Sequence, residues 1–426
     1  MFGREIFEYD WIVNRKSNVG SYLGGFWGKV IFFSVIMFFI SLGDAILSDW
    51  VPAYMQESLG SPLLMGVVMA FSSMVGFGAD LVFPQILKGV KMRKLILLGI
   101  GASLVFAGVM LWSVYWPLII IFLVGMAVWG VYYEFLGFGS HQFVSSVPAV
   151  SRSAVWAIIG VFKSLAYFIG PILGSTIALS KGNYTVVIFA AGAVLVSYVM
   201  FILFGRKDDR DGVEEPAERF SLLIEVKHWG LLFEHVWPVL IMSLVMGLID
   251  ATFWTTGTVL SDNLAKTNWW GGMFLPLYML PMIFVGLMVA KWGIYKGKKK
   301  IAEIFMLLSG LSLSLIGLND SLEIILLAAT LTGATLAVAW PLTDAVYSDI
   351  INRMGREGKH MMGLSSSTLS LAYIVGPVLA GGIAQVVGER LTFSVIGGFM
   401  ALVAMILLLV TPRKLKLPQT EIQTWY

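Results

Sequence analysis

The chain has no cysteine, four histidines and few charges, with Asp, Glu, Lys and Arg making up 13% of its 426 residues. Without cysteine there is no disulfide framework, no thiolate metal site and no cysteine nucleophile. His141, His228, His235 and His360 are scattered without metal-ligand spacing, and no Walker loop or catalytic constellation occurs. The chain is therefore expected to be no enzyme and to carry neither metal nor cofactor. A soluble protein would hold about a quarter charged residues, and half that level leaves too little polar surface to cover a water-soluble globule. The net charge of +3 gives nucleic-acid binding no compositional support.

What the chain has in abundance is apolar sequence, 58% of all residues. About 20 apolar residues cross a bilayer as a helix. Twelve such stretches occur, near 28–48, 62–87, 95–113, 118–140, 154–179 and 184–205, then 233–260, 270–290, 301–318, 322–350, 361–385 and 391–411. The fold class expected is an all-α, multi-pass integral membrane protein. A polar tail (1–27) precedes the first six spans (28–205), a linker (206–232) separates them from the second six (233–411), and a short tail (412–426) follows. The tail before the first span reads as no cleavable signal peptide. Phe220 to Leu232 alternates apolar and polar residues enough to lie along the membrane surface.

Basic residues orient the spans. With the N-terminus inside, inner segments hold 25 of the 29 Lys and Arg residues; outer loops hold Lys181, Lys266 and Arg390, and Lys163 lies within a span. This asymmetry predicts both termini on the cytoplasmic side of a plasma or inner membrane.

The chain also repeats itself. Ser164-Leu-Ala-Tyr-Phe-Ile-Gly-Pro-Ile-Leu-Gly-Ser-Thr-Ile-Ala178 matches Ser370-Leu-Ala-Tyr-Ile-Val-Gly-Pro-Val-Leu-Ala-Gly-Gly-Ile-Ala384 at nine of fifteen positions, an offset of 206. The same offset carries Leu42, Asp44 and Ala45 onto Leu248, Asp250 and Ala251. Six spans per half is an even number, so both halves start from the same side and are parallel repeats about an axis along the membrane normal. Gly170, Pro171 and Gly174, with Gly376 and Pro377, sit mid-span and suit either a packing kink or a hinge.

These features resemble the major facilitator superfamily (MFS) over roughly residues 28–411. Gly170-Pro171-Ile172-Leu173-Gly174-Ser175 resembles the fifth-span motif of its proton-coupled antiporters, with Ala157 and Ala166 in place of the upstream glycines. Leu42-Gly43-Asp44 with Pro52 resembles the first-span motif of drug–proton antiporters, one residue shorter. The gating loops of the family are represented by Lys88, Gly89 and Arg93, and by Gly286, Lys291 and Gly293, both without the usual aspartate. The fourth-span arginine common in proton antiporters is absent from Val124 to Tyr133. The resemblance implies alternating access, with the first, fourth, seventh and tenth spans lining a central cavity.

Charges inside a membrane are costly and usually face partners or water. Asp44, Asp80, Glu134, Lys163, Asp250 and Asp344 lie within spans. Asp44, Glu134, Asp250 and Asp344 are the candidate proton-coupling acids, Asp80 reads as structural, and Lys163 is the expected ion-pair partner of Glu134. Trp129, Tyr133, Trp254, Trp340 and Tyr347 are the candidate substrate-cavity aromatics, Asp344 lying between Trp340 and Tyr347 on one helical face as a cation-binding arrangement would require. Other tryptophans, including Trp50, sit at span ends as interfacial anchors. The expectation is a monomeric secondary transporter that exports a small amphipathic or cationic solute against protons. A symporter importing a sugar or organic nutrient is the first alternative. A receptor or scaffold without transport is another; a lipid-modifying enzyme lacks any paired catalytic motif.

Overall fold

A computed structural model describes residues 25–86, 90–147, 152–204, 222–292, 297–354, 358–412 and 417–418. Lys88, Gly89 and Gly293 of the predicted gating loops, residues 1–24 and most of the predicted linker lie outside the described residues. Among the described residues no strand occurs. The first six spans are α1 (Phe26–Leu59), α2 (Pro62–Ile86), α3 (Met92–Tyr115), α4 (Ile119–Ser145), α5 (Arg152–Lys181) and α6 (Asn183–Phe204). The second half comprises α7 (Leu222–Phe253), α8 (Thr256–Thr267), a 3-10 turn (Trp269–Met273), α9 (Phe274–Trp292), α10 (Lys298–Leu318), α11 (Leu322–Met354), α12 (Gly358–Val387) and α13 (Glu389–Val410). Eleven helical stretches are long and apolar enough to cross a membrane, and α9 with the preceding turn supplies a shorter twelfth. Arg93 opens α3, and Gly286 and Lys291 fall in the last part of α9.

Three readings of the sequence change here. Residues 222–232, expected to close the linker along the membrane surface, are the first turns of α7. The seventh span is also broken. Its apolar run, Lys227–Thr267, is 41 residues, which as one straight helix would measure about 60 Å against a hydrocarbon core of about 30 Å. The chain instead leaves helical geometry at Trp254 and Thr255, where Thr255 has φ −120° and ψ −86°, and restarts as α8 at the outer end as the charge asymmetry orients it. Trp50 likewise is no interfacial anchor: it is buried, donates its indole N–H to Asn183 Oδ1 (2.8 Å) and stacks on Tyr54.

Each half has its own core. Ile36, Met37, Phe106, Phe122 and Val186 belong to one buried cluster, and Met242, Phe253, Phe274, Met306 and Phe393 to another. Val259 of α8 belongs to the first cluster although its helix is part of the second half. The halves meet mainly where α2 packs on α12 and α5 on α9. On the α2–α12 seam, glycine removes the side chain that would hold the backbones apart. A methyl group on Gly66 would lie 2.1 Å from the Pro377 carbonyl oxygen, and one on Gly381 2.3 Å from that of Pro62. At the end where α1 turns into α2, Gln56 Nε2 donates to Glu389 Oε1 (2.6 Å), and Ser61 Oγ donates to Gln385 Oε1 (2.8 Å). These bonds close that end across the two halves.

Gly66→Ala is therefore expected to destabilise the protein by about 1–3 kcal/mol through overpacking. Gly108→Ala, where nothing lies within 4 Å, is expected to raise stability by about 0.5–1 kcal/mol. Thermal unfolding of the two purified variants checks the contrast.

Candidate functional site

Between the halves lies a cavity of about 800 Å³ lined by residues of both. Among the described residues its carboxyl groups are Glu134 on α4, Asp250 on α7 and Asp344 on α11, and no Lys, Arg or His lines it. Trp129, Tyr133, Tyr167, Trp254, Trp340 and Tyr373 supply aromatic wall.

Asp44 stands immediately behind that wall. It is buried on α1 and accepts hydrogen bonds from Trp129 Nε1 (3.0 Å) and Tyr133 Oη (2.5 Å) on α4, and from the Tyr167 hydroxyl on α5. The two hydroxyl oxygens lie 2.7 Å apart, so with both protons directed at Asp44 neither tyrosine donates to the other. An ionised carboxylate only accepts, so this ring of donors is its complement. The local sequence explains how α5 comes so near. A methyl group on Gly170 would lie 2.4 Å from Ala45 Cβ, so glycine on one helix against alanine on the other permits the approach. Tyr167 lies one turn before Gly170 on α5, and Asp44 is next to Ala45 on α1.

The second half repeats the device. A methyl group on Gly376 would lie 2.6 Å from Ala251 Cβ. Beside that contact Tyr373 Oη donates to Asp250 (2.5 Å), and Tyr278 Oη of α9 donates to its other oxygen (2.8 Å). Asp44 and Tyr167 thus correspond to Asp250 and Tyr373 under the 206-residue offset. The repeat marked both tyrosines in the sequence, but only their acids were singled out as site residues. Tyr278 falls outside the repeated stretches and carried no such signal.

Two expected contacts are not made. Lys163 forms no ion pair with Glu134. Glu134 hydrogen-bonds Asp80 of α2 instead, and Lys163, one turn before Tyr167, lies in the electrostatic field of Asp44. The cause is a second close approach. A methyl group on Gly130 would meet the Ser72 carbonyl oxygen at 2.2 Å and the Gly76 nitrogen at 2.9 Å. Asp80 and Glu134 each lie one turn beyond those glycines. Tyr347, expected beside Asp344 in the cavity, is buried and turned onto α7, where its hydroxyl bonds Ser243 Oγ (2.6 Å) and donates to the Val239 carbonyl (3.0 Å). Asp344 itself is exposed to the cavity with Trp340 one turn away. Pro377 lines the cavity, and Gly174 lies against the Ile46 carbonyl and Asp49.

Twelve spans in two halves around a central two-sided cavity define the class of architecture used by secondary transporters. Residues 263–424 match the family model described as Major Facilitator Superfamily. The likeness to that superfamily read from the sequence is borne out by this match and by the fold. No curated protein sequence matches the chain. Solved structures do. The crystal structure of a POT family transporter in complex with a thioalcohol-conjugated peptide has TM-score 0.73 and 14% identity, over 90% of this chain and 96% of that one. The human organic anion transporter MFSD10 (TETRAN) has TM-score 0.62 and 18% identity, over 89% and 98%. A bacterial homologue of the human drug peptide transporters PepT1 and PepT2 has TM-score 0.70 and 12% identity, over 90% and 98%. At such identities the likeness is one of fold.

Asp44 accepts three hydrogen bonds; without it Tyr133 and Tyr167 can pair with each other, but the Trp129 N–H and one tyrosine O–H are left unpaired, whereas the Asp344 carboxyl accepts none among the described residues. Asp44→Ala is expected to cost about 2–4 kcal/mol of stability and Asp344→Ala less than about 1 kcal/mol, as thermal unfolding of both variants would show.

Proposed function

We propose that the protein is a secondary transporter that moves a small amphipathic cation outward by alternating access, in exchange for protons. The observation that carries this reading is the cavity lining of three carboxyl groups and many aromatic rings, with no basic side chain. Asp344 supplies the counter-charge, and the rings of Trp340 and Trp254 supply faces for a cation or an aromatic ring. An organic anion, or the carboxylate of a peptide, would find no basic side chain on this wall among the described residues. Both are cargoes suggested by structures that share the fold.

Asp44 is the proton carrier in this reading. A proton on the oxygen shared by the two tyrosines makes that oxygen a donor, so one tyrosine must accept from it and turn its own proton towards the other hydroxyl. A bound cation favours the ionised form. At about 6 Å and an effective dielectric of about 20, the attraction is about 3 kcal/mol, roughly a hundredfold in affinity. Proton and solute therefore exclude one another, which is the requirement for exchange. With no nucleotide-binding loop in the sequence, the energy comes from the gradients.

Reconstituted protein with the membrane potential clamped tests this with ethidium, an aromatic monocation. Uptake into an acidic lumen is expected. Asp344→Asn is expected to lower it at least tenfold, and Asp44→Asn to leave downhill flux but abolish its acceleration by the pH gradient. Uptake driven into an alkaline lumen would mark symport instead, and pH-driven uptake unchanged in Asp44→Asn would remove that residue from coupling.

A further inference from the structure

We propose that Tyr167 is the positioning residue through which the charge state of Asp44 reaches the outer lid of the opposite half. The proposal rests on the exchange reading for its trigger, but it concerns a different event, the movement of α8.

Tyr167 touches both halves. Its hydroxyl donates to Asp44 and lies 2.7 Å from the Tyr133 hydroxyl within the first half. Its ring meets Trp254 of the second half edge to face, with centroids 5.4 Å apart and planes at 70°. Trp254 is where the seventh span breaks. α7 ends at Phe253, α8 begins at Thr256, and the residues between are non-helical. Beyond the break, α8 and the 3-10 turn pack between the halves: Leu260 belongs to the second-half core and Gly257 lies against Phe393 and Phe274, while other residues reach the first half. Val259 joins the first-half core, and Gly272 sits close enough to α5 that a methyl group there would lie 3.1 Å from Ser175 Oγ. α8 is thus a lid that joins the second half at Trp254 and is packed against both halves.

The repeat makes this linkage one-sided. The mate of Trp254 at the 206-residue offset is Ser48, and α1 runs unbroken from Phe26 to Leu59 through that position. The second half copies the aspartate, the tyrosine and the glycine–alanine contact, yet the break and the aromatic contact occur only where Tyr167 reaches across. If the break merely shortened an overlong span, nothing would require it to fall at the residue touched by the tyrosine that holds Asp44.

The tyrosine ring is rigid, with its hydroxyl at one end and its edge contact along the same plane, so loss of the bond to Asp44 releases the ring that bears on Trp254. The groups facing Asp44 are Tyr133 and Trp129 from α4, and Tyr167 and Lys163 from α5. α6 packs beside it through Ala190 against Gly43. Tyr167 also lies in the field of Tyr373 of α12. Of the groups facing Asp44, only Tyr167 has a ring contact with the second half among the described residues.

The cysteine-free chain makes the test direct. Cysteines replacing the exposed Ser180 of α5 and Asn263 of α8 take spin labels, and pulsed electron resonance reads their separation in nanodiscs at acidic and alkaline pH without solute. The parent is expected to show two distances whose proportions change with pH, and Asp44→Asn a distribution that no longer responds. Tyr167→Phe keeps the ring and loses the hydroxyl, so both distances persist and the pH response is lost. Trp254→Ala loses the response as well, whereas Tyr278→Phe, which removes a bond to Asp250, retains it. A parent distribution indifferent to pH, a Tyr167→Phe response equal to the parent's, or loss of response in Tyr278→Phe would overturn the proposal. Ethidium exchange is scored separately: its failure with the lid response intact sinks the transport reading alone.

Discussion

A carboxylate between helices in hydrocarbon persists only if its oxygens are satisfied from neighbouring helices, and much of this structure follows from meeting that condition twice. At Asp44 the donors come from α4 and α5, and at Asp250 from α9 and α12. Both arrangements require two backbones to approach at a glycine facing an alanine, Gly170 on Ala45 and Gly376 on Ala251. A side chain at either glycine would push the helices apart and leave a buried acid against unpaired hydroxyls. The glycine-proline stretch is thus first a packing device, and the repeat preserves it together with the aspartate and the tyrosine because none of the three is useful alone.

Symmetry ends where the two halves must behave differently. Asp44 draws its remaining bonds from Trp129 and Tyr133 on the fourth span, Asp250 from Tyr278 on the eighth. Ser48 stands in the unbroken α1, Trp254 at the break of the seventh span. The cavity inherits this asymmetry. Asp344, the carboxyl exposed in its wall, has its pseudo-equivalent at Phe138 in the fourth span, while Glu134 of the first half is tied to Asp80. Parallel repeats supply the frame, and the departures from repetition give the wall its single sign of charge.

Much of the site was legible in the sequence because hydrocarbon filters residue types so strongly. Asp44, Glu134, Asp250 and Asp344 were conspicuous as acids in apolar runs. Three of them line the cavity, and Asp44 is one side chain behind it. Their partners were less legible, since a tyrosine in a span is common and its hydroxyl has no sequence periodicity. Lys163 and Glu134 were matched by charge alone, which ignores that Gly76 and Gly130 bring α2 and α4 together and so set Glu134 beside Asp80. Tyr347 shared a helical face with Asp344 in sequence spacing, but its hydroxyl found the Val239 carbonyl and Ser243 on α7.

The sequence by itself determined the class, the number of spans, the parallel repeat and the acids that lie within the spans. Each follows from local rules: the apolar length needed to cross hydrocarbon, the cost of an internal charge, and identity at one offset. Only the tertiary structure decided which donors hold each acid, where the seventh span breaks, and that α8 is packed between the two halves. Those depend on how closely helices distant in sequence approach. That distance is set by glycines and small side chains on two surfaces at once, a property no single helix carries.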